Sequence, residues 1–521
     1  MNGAESLIRT LVAGGVEVCF ANPGTSEMHF VAALDEVEGM RSVLGLFEGV
    51  VSGAADGYAR MAGKPAATLL HLGPGFSNAM ANIHNARKGH VGMINIVGDH
   101  ATYHMECDAP LASDIEGMAA TVSHWVRTSP GPEHIAADAA QAVQIAAHDQ
   151  IATLILPADA SWGESPSGAA AAMDLAAPPR VSTESIERAA AMLRSGEPAL
   201  VLVGGCEIDV ELGLMLGQIG AASGARVCVE TFPTRISRGA GTARLERLPH
   251  LAETAIETLR PVRNLLLIGA PAPVSFFAYP GLPSMLPADD CRVLALAQPG
   301  HDIHHCVQGL LMQVGGADAA APVHSLELPG LPAGKLTAVS LAQAVAHLLP
   351  ERSIIVDDGA TTTPPLYAAT AGAAPHDWLT LTGGSIGFGL PCAIGAAVAK
   401  PDRKVVCVAG DGSAMYTIQA LWTMAREELD ITVVVCNNRK YNILAAEFSR
   451  TGARGGKPGP RARSMLEIGC PDMDFAALAS GMGVRASRAD SAEAFNEQFA
   501  EAMVTRGPRL IDAMVPAHSV M

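Results

Sequence analysis

Asp411 and Asn438 stand 27 positions apart, and each follows a short run suited to a buried strand, Lys404–Val408 and Ile431–Cys436. Strands of a parallel sheet present their following loops along one edge, so this carboxylate and this amide are expected to emerge as neighbours. Together they make a hard, incomplete oxygen shell. Mg²⁺ suits such a shell, because it draws its remaining octahedral ligands from water and phosphate. Gly410 and Gly412 let the backbone approach a diphosphate. Ser413 is expected to open a helix, with apolar spacing at Ile418, Leu421 and Met424, whose N-terminus favours anions. A lone GDG is only a tight turn. GDGS, a helix, a strand and NN in that order is far more specific.

The first third of the chain holds a second set of reactive residues. Glu48 is a single carboxylate in the apolar stretch Leu46-Phe47-Glu48-Gly49-Val50-Val51, just ahead of a helical pattern. Such surroundings withdraw the water that stabilises a charge and favour a held proton. His71 stands at the tip of the run Ala67–Leu70, before Gly73-Pro74-Gly75 and a helix expected to begin near Ser77. A histidine there can carry protons near neutral pH, where a structural histidine would merely close the strand. The segment Asn22-Pro23-Gly24-Thr25-Ser26-Glu27 follows the first strand-like run, Val16–Phe20.

The elements that would position these residues alternate along the whole chain. Further strand-like runs occur at Gly92–Val97, Thr153–Leu156, Ala199–Val203, Arg226–Val229, Asn264–Ile268, Arg292–Leu296, Ser353–Val356 and Arg509–Met514, with helical stretches between them. This rhythm predicts an α/β chain of mostly parallel sheets flanked by helices. At 521 residues the chain exceeds one core, and residues 161–185 and 315–337, rich in Ser, Pro, Gly and Ala, read as linkers. Three domains are expected, over residues 1–160, 182–315 and 338–521.

A formal charge of −17 disfavours nucleic acid and anionic membranes as partners, and the ten cysteines lack metal-ligand spacing. No apolar run approaches the ~20 residues of a membrane span, and the N-terminus lacks the features of a signal peptide. A soluble, cytoplasmic protein is expected.

GDGS and NN, with GGSIGFGLPCAIGAAVA before them and ALWTMAREELDI between, resemble the signature of thiamine diphosphate-dependent enzymes. The resemblance spans essentially the whole chain. It is strongest to benzoylformate decarboxylase, with acetolactate synthase close behind, and implies three α/β domains in the order pyrimidine-binding, central and diphosphate-binding. It further implies thiamine diphosphate and Mg²⁺ as cofactors. The metal ligands would be Asp411, Asn438 and the backbone carbonyl of Lys440, with Gly410, Gly412 and Ser413 beside the diphosphate.

By the same resemblance Ile386 would prop the cofactor into its bent form, although plain core packing is an alternative for it. Glu48 would engage the aminopyrimidine nitrogen, and His71 would relay protons. The segment from Phe20 to Glu27 resembles FGNPGSNE of benzoylformate decarboxylase. Asn22, Pro23 and Gly24 would therefore touch the cofactor and Thr25 the substrate carboxylate. The site is implied to be shared between subunits of a homodimer or homotetramer.

Two segments depart from the pattern. Benzoylformate decarboxylase carries a second histidine where this chain has Phe276. Residues 447–464 are rich in Gly and Pro and carry Arg450, Arg454, Lys457, Arg461 and Arg463, which suggests either a mobile solvated loop or a lid whose arginines attract an anion. The expected function is non-oxidative decarboxylation of a 2-oxo acid, with carboligation as a possible side reaction. The alternatives are an acetolactate synthase-type carboligase, weakened by the modest length and lack of a flavin signature, and a catalytically silent cofactor-binding paralogue.

Overall fold

Parallel strands buried on both faces read as continuous apolar runs, and these runs assemble into three sheets. The computed structural model describes residues 1–171 and 174–517; residues 172 and 173 of the first expected linker lie outside them. The first sheet has six strands in the order Arg41–Leu44, Val18–Asn22, Ala66–Leu70, Met93–Asp99, Ile151–Pro157, Trp125–Thr128, all parallel. The third sheet is built from Ala199–Val203 and its neighbours.

The second sheet runs Arg485–Ala489, Arg509–Met514, Ile431–Asn437, Val405–Gly410, Ser353–Asp358, His376–Thr380, and then adds Arg235–Arg238 and Glu207–Ile208 at its edge. Arg235–Arg238 pairs antiparallel to His376–Thr380, and the other pairings are parallel. Two short pieces from the middle of the chain thus extend the sheet of the C-terminal segment.

Counted along their own segments, the first sheet and the first six strands of the second share one order, 2-1-3-4-6-5. No sequence repeat announces this. The helices that follow the second strand of each, Glu48–Ala62 and Gly389–Ala399, pack against one another. Their backbones nearly touch. A β-carbon added at Gly395 would lie 1.9 Å from the Ala54 carbonyl oxygen, and one at Gly57 2.0 Å from that of Cys392. Glycine is required here by space and not by backbone conformation.

Arg60, on the first of these helices, is fully buried and grips Asp56 through two hydrogen bonds of 2.6 and 2.9 Å. It also donates to the carbonyls of Thr234 and Thr380 and to Thr382 Oγ1, and its guanidinium lies 4.7 Å from the Phe388 ring centre. One side chain therefore ties the N-terminal helix to the middle segment and to the second sheet. Burial raises the Asp56 carboxyl, and the adjacent guanidinium opposes that rise.

Several expected boundaries shift. The first strand is Val18–Asn22 rather than Val16–Phe20, which brings Asn22 into register with Leu70. Strands Arg41–Leu44 and His376–Thr380 carry too few β-branched residues to stand out in sequence, and Trp125–Thr128, though Trp, Val and Thr favour a strand, is only four residues long. Among the described residues no helix is long and apolar enough to cross a membrane.

Candidate active site

Two clusters form at the carboxyl edges of the first two sheets. In the first sheet the strands ending at Leu44, Asn22 and Leu70 are neighbours, so the loops that follow them meet. Glu48 is the first residue of its helix, 8% exposed, and accepts a 3.0 Å hydrogen bond from Asn78 Nδ2. A β-carbon on Gly75 would lie 2.9 Å from Glu48 Oε1, so the Gly-rich turn after His71 makes room for this carboxylate.

His71 caps the helix Leu72–Lys88, which begins five residues earlier than expected. Pro74 is tolerated because first-turn N–H groups have no partner inside the helix. Leu72, which follows His71, takes φ +48°, an unfavourable conformation for a branched residue.

The ring of His71 lies against Glu27, with Nδ1 2.9 Å from Oε2 and 3.3 Å from Ser26 Oγ. Glu27 is 2% exposed, and the backbone N–H of Gly24 and the hydroxyl of Ser26 also donate to it. Because a carboxylate only accepts, Nδ1 carries the proton and Nε2 is left as the exchanging nitrogen. Gly24 is needed for this ring, since a β-carbon there would lie 2.1 Å from His71 Nδ1.

Sequence reasoning passed over Glu27, Ser26 and Asn78. The signal for Glu27 was its place in a strand-end loop beside His71, which only the strand order reveals. Thr25 is exposed in the short 3₁₀ turn Thr25–Glu27, and Asn22 and Pro23 are half-buried on the same edge.

In the second cluster Asp411 and Asn438 follow the adjacent strands Val405–Gly410 and Ile431–Asn437. Asp411 is 3% exposed and accepts from the N–H groups of Gly412, Asn438 and Arg439 at 2.8, 3.1 and 2.6 Å. Burial raises its carboxyl, and these donors lower it. Asn438 Oδ1 accepts from the Lys440 N–H at 2.9 Å, and the Lys440 carbonyl accepts from Asn442.

The helix begins at Asp411, not Ser413, and it stops at Tyr416. A separate helix, Ala420–Arg426, carries Leu421 and Met424, while Ile418 lies between the two. Gly412 is pressed by Tyr441, whose Cε1 would lie 2.2 Å from an added β-carbon, whereas a β-carbon on Gly410 would meet Ser413 Oγ at an ordinary 3.7 Å. The aromatic ring thus requires glycine at 412, and Gly410 is not crowded.

Ile386 is half-buried and belongs to none of the hydrophobic clusters of the described residues. Its neighbours are pinned: Ser385 exchanges two hydrogen bonds with the Asn85 side chain, and the N–H groups of Gly387 and Gly389 donate to Asp358 Oδ2 at 3.1 and 2.9 Å. Burial pushes Asp358 up to about 7. Asp358 also went unnoticed in the sequence, because a carboxylate ending a strand gives no sign that it braces a loop from another strand. A bulky aliphatic side chain on a braced loop, outside the cores, is free to pack against a ligand.

The donor set fits a cation that brings its own oxygens. Among the described residues no group of three His, Cys, Asp or Glu side chains could hold a metal alone. One carboxylate, one amide and one carbonyl suit Mg²⁺ only when phosphate and water complete the shell.

The segment 447–464 is not an open loop. It folds as the end of the helix Asn442–Arg450, the turn Ala453–Gly456 and the helix Pro460–Ser464. Arg450 is engaged by Glu253 and Glu447 and stacks 3.8 Å from the Tyr279 ring centre, so its charge is already matched. Phe276 packs edge-on against His250 and Phe277, 4.9 Å from each, and its Cζ comes within 3.1 Å of a β-carbon built on Gly384.

Two family descriptions match these same regions: "Thiamine pyrophosphate enzyme, N-terminal TPP binding domain" over residues 1–120, and "Thiamine pyrophosphate enzyme, C-terminal TPP binding domain" over residues 362–513. A Mycobacterium tuberculosis (strain H37Rv) protein described as "Putative acetolactate synthase large subunit IlvX" is 53% identical over 521 residues, covering 99% of each chain. The chain belongs to the thiamine pyrophosphate enzymes. Benzoylformate decarboxylase of Pseudomonas aeruginosa is 29% identical to this thiamine pyrophosphate enzyme, covering 97% of each. The solved structure of the thiamine diphosphate-dependent 4-hydroxybenzoylformate decarboxylase of Rhodococcus jostii RHA1 superposes with a TM-score of 0.85 at 24% identity, over 99% of this chain and 100% of that one, and shares its fold.

Proposed function

We propose that this thiamine pyrophosphate enzyme decarboxylates a 2-oxo acid without oxidation, using thiamine diphosphate and Mg²⁺. The observation that carries the proposal is the His71–Glu27 pair, set beside Glu48 on one sheet edge. When bound, thiamine diphosphate supplies a carbon nucleophile and a cationic electron sink for cleaving the bond next to a carbonyl.

In this reading Asp411, Asn438 and the Lys440 carbonyl would hold Mg²⁺, Gly410, Gly412 and Ser413 would flank the diphosphate, and Ile386 would support the cofactor's rings. Glu48 holds a proton at the pyrimidine nitrogen, one of its oxygens being fixed by Asn78. His71 moves a proton through Nε2 while Glu27 fixes its tautomer and tilt. Thr25 faces the substrate carboxylate, and Asn22, Pro23 and Gly24 form the adjoining wall.

Within one chain Ser385 ties the Ile386 loop to Asn85 of the first segment, but among the described residues Glu48, His71 and Glu27 share no hydrogen bond or ion pair with Asp411 or Asn438. Leu46 beside Glu48 and Met415, Tyr416 and Leu444 beside Asp411 are exposed. Such apolar flanks support a site completed by a second copy, in a homodimer or homotetramer.

A carboligase of acetolactate synthase type is the second reading, favoured by the name given to the 53% identical relative. Phe276 adds to it, since an aromatic wall replaces a proton donor and leaves time for a second carbonyl to react. Incubation with pyruvate separates the two: decarboxylation yields acetaldehyde, carboligation yields acetolactate. The screen then extends to aliphatic and aromatic 2-oxo acids with CO₂ release as readout. Release from none of them sinks the decarboxylase reading.

The substitution Glu27→Gln is expected to lower kcat on the accepted substrate by on the order of 10- to 100-fold with KM little changed, because a misaimed imidazole spoils the transition state more than binding. An unchanged kcat would show that Glu27 serves only the loop.

A further inference from the structure

The third sheet has five parallel strands in the order Glu246–Arg247, Arg226–Val229, Ala199–Val203, Asn264–Ile268, Arg292–Ala297. Its first strand lies in the middle and the chain winds outward on both sides, so the order reverses between Ala199–Val203 and Asn264–Ile268. In open sheets of this kind a dinucleotide lies beyond the carboxyl ends of those two strands. Its pyrophosphate rests on glycines after the first strand and on the N-terminus of the next helix. Gly204 and Gly205 stand at that place. By topology alone this is a nucleotide site, and flavin adenine dinucleotide is a cofactor of the type it would take.

Three features of this chain fill or close the place. The two turns at the strand ends touch backbone to backbone. A β-carbon on Gly205 would lie 2.5 Å from the Gly269 carbonyl oxygen, and one on Gly269 2.3 Å from that of Gly204. The glycines thus serve to bring the two turns together.

The second feature is a carboxylate of the chain's own. Glu230, at the end of the neighbouring strand, accepts the Gly205 N–H at 2.7 Å, and its Cδ would lie 2.3 Å from a β-carbon on Gly204. It takes the N–H that a pyrophosphate oxygen would need.

The third is the next helix, Val210–Ser223, whose N-terminus is already capped by Asp209 through a 2.8 Å bond to the Leu212 N–H. Glu207 stands just before it, paired with Arg235 at 2.8 Å. Three acids therefore surround the position of a diphosphate. Burial pushes both Glu207 and Glu230 up to about 7, so this ground already disfavours negative charge.

We infer that the crevice of the central sheet is sealed by Glu230 and by contact between its two glycine turns, so that this thiamine pyrophosphate enzyme carries no flavin or other dinucleotide there. The inference does not depend on which reaction the enzyme catalyses.

The test uses the full chain, produced with excess riboflavin and purified without chelators. Visible absorbance reports bound flavin, and the thermal midpoint is then followed on titration with FAD, NAD⁺ and ADP. A ligand that binds only the folded state raises that midpoint in a saturable way. Thiamine diphosphate with Mg²⁺ serves as the control for a binding-competent preparation. No flavin absorbance and no shift with any of the three nucleotides is the expected result. Flavin approaching one per chain, or a saturable shift with any of them, overturns the inference. The variant Glu230→Ala extends the test: nucleotide binding gained by this variant and absent from the unaltered chain assigns the exclusion to the carboxylate.

Discussion

Replacing Glu48 with glutamine is expected to leave the fold and cofactor affinity intact and to lower turnover by about 10²- to 10⁴-fold, the range for a positioned acid–base group. Glutamine keeps the length of the side chain and an oxygen for the Asn78 amide, so the 3.0 Å contact can survive. What it loses is the capacity to hold and return a proton. The proposed metal donors Asp411 and Asn438 belong to the other cluster and are untouched, so the saturation of activity by Mg²⁺ and thiamine diphosphate should stay near that of the parent. Steady-state kinetics on whichever 2-oxo acid is accepted, together with circular dichroism, gives the answer. Turnover within tenfold of the parent would falsify the acid–base role. Robust turnover by the unaltered chain would at the same time dispose of the silent-paralogue reading.

The largest expected effect on stability lies away from both clusters, at Arg60. Substitution by methionine leaves the fully buried Asp56 with no counter-charge and strands the carbonyls of Thr234 and Thr380. Removing one partner of a buried pair costs about 3–5 kcal/mol, because the remaining charge keeps its desolvation penalty and loses its compensation. A lower denaturant midpoint at fixed protein concentration is therefore expected for Arg60→Met. Adding Asp56→Leu should recover part of the loss, since the isolated carboxylate goes as well. A midpoint unchanged in Arg60→Met would mean that water or a neighbouring side chain takes over the guanidinium's partners.

The neighbourhood of Asp411 and Asn438 was open to sequence reasoning because these proposed metal donors follow two adjacent strands that read as uninterrupted apolar runs. Asp411 and Asn438 needed only the rule that parallel strands deliver their loops to one edge. Glu48 and His71 were visible for a similar reason, each being a polar residue that interrupts an apolar stretch at a strand end. Glu27 and Asp358 were not. Their partners, His71 in one case and the peptides of Gly387 and Gly389 in the other, lie 44 and about 30 residues away, and only the strand order brings them together.

Arg450 shows the opposite error. A run of arginines among glycines looks like unmatched charge, yet for Arg450 itself Glu253 from another part of the chain supplies the match. Gly412 shows a feature the sequence hid, since its lack of a side chain also makes room for the ring of Tyr441. The helix break between Tyr416 and Ala420 was hidden because the apolar spacing of the two pieces happens to continue in phase.

The shared 2-1-3-4-6-5 order gives both ligand-facing sheets the same set of addresses. The connection after the second strand carries Glu48 in one and Ile386 in the other, and the end of the third strand carries His71 in one and Asp411 in the other. Within this architecture the role of a residue is set by its half of the chain, and its location by its strand number. Each of these four residues is specified by a strand number and a choice of half, while Glu27 and Asp358 belong to first strands and Asn438 to a fourth, so a transplant of the site must carry four strand ends.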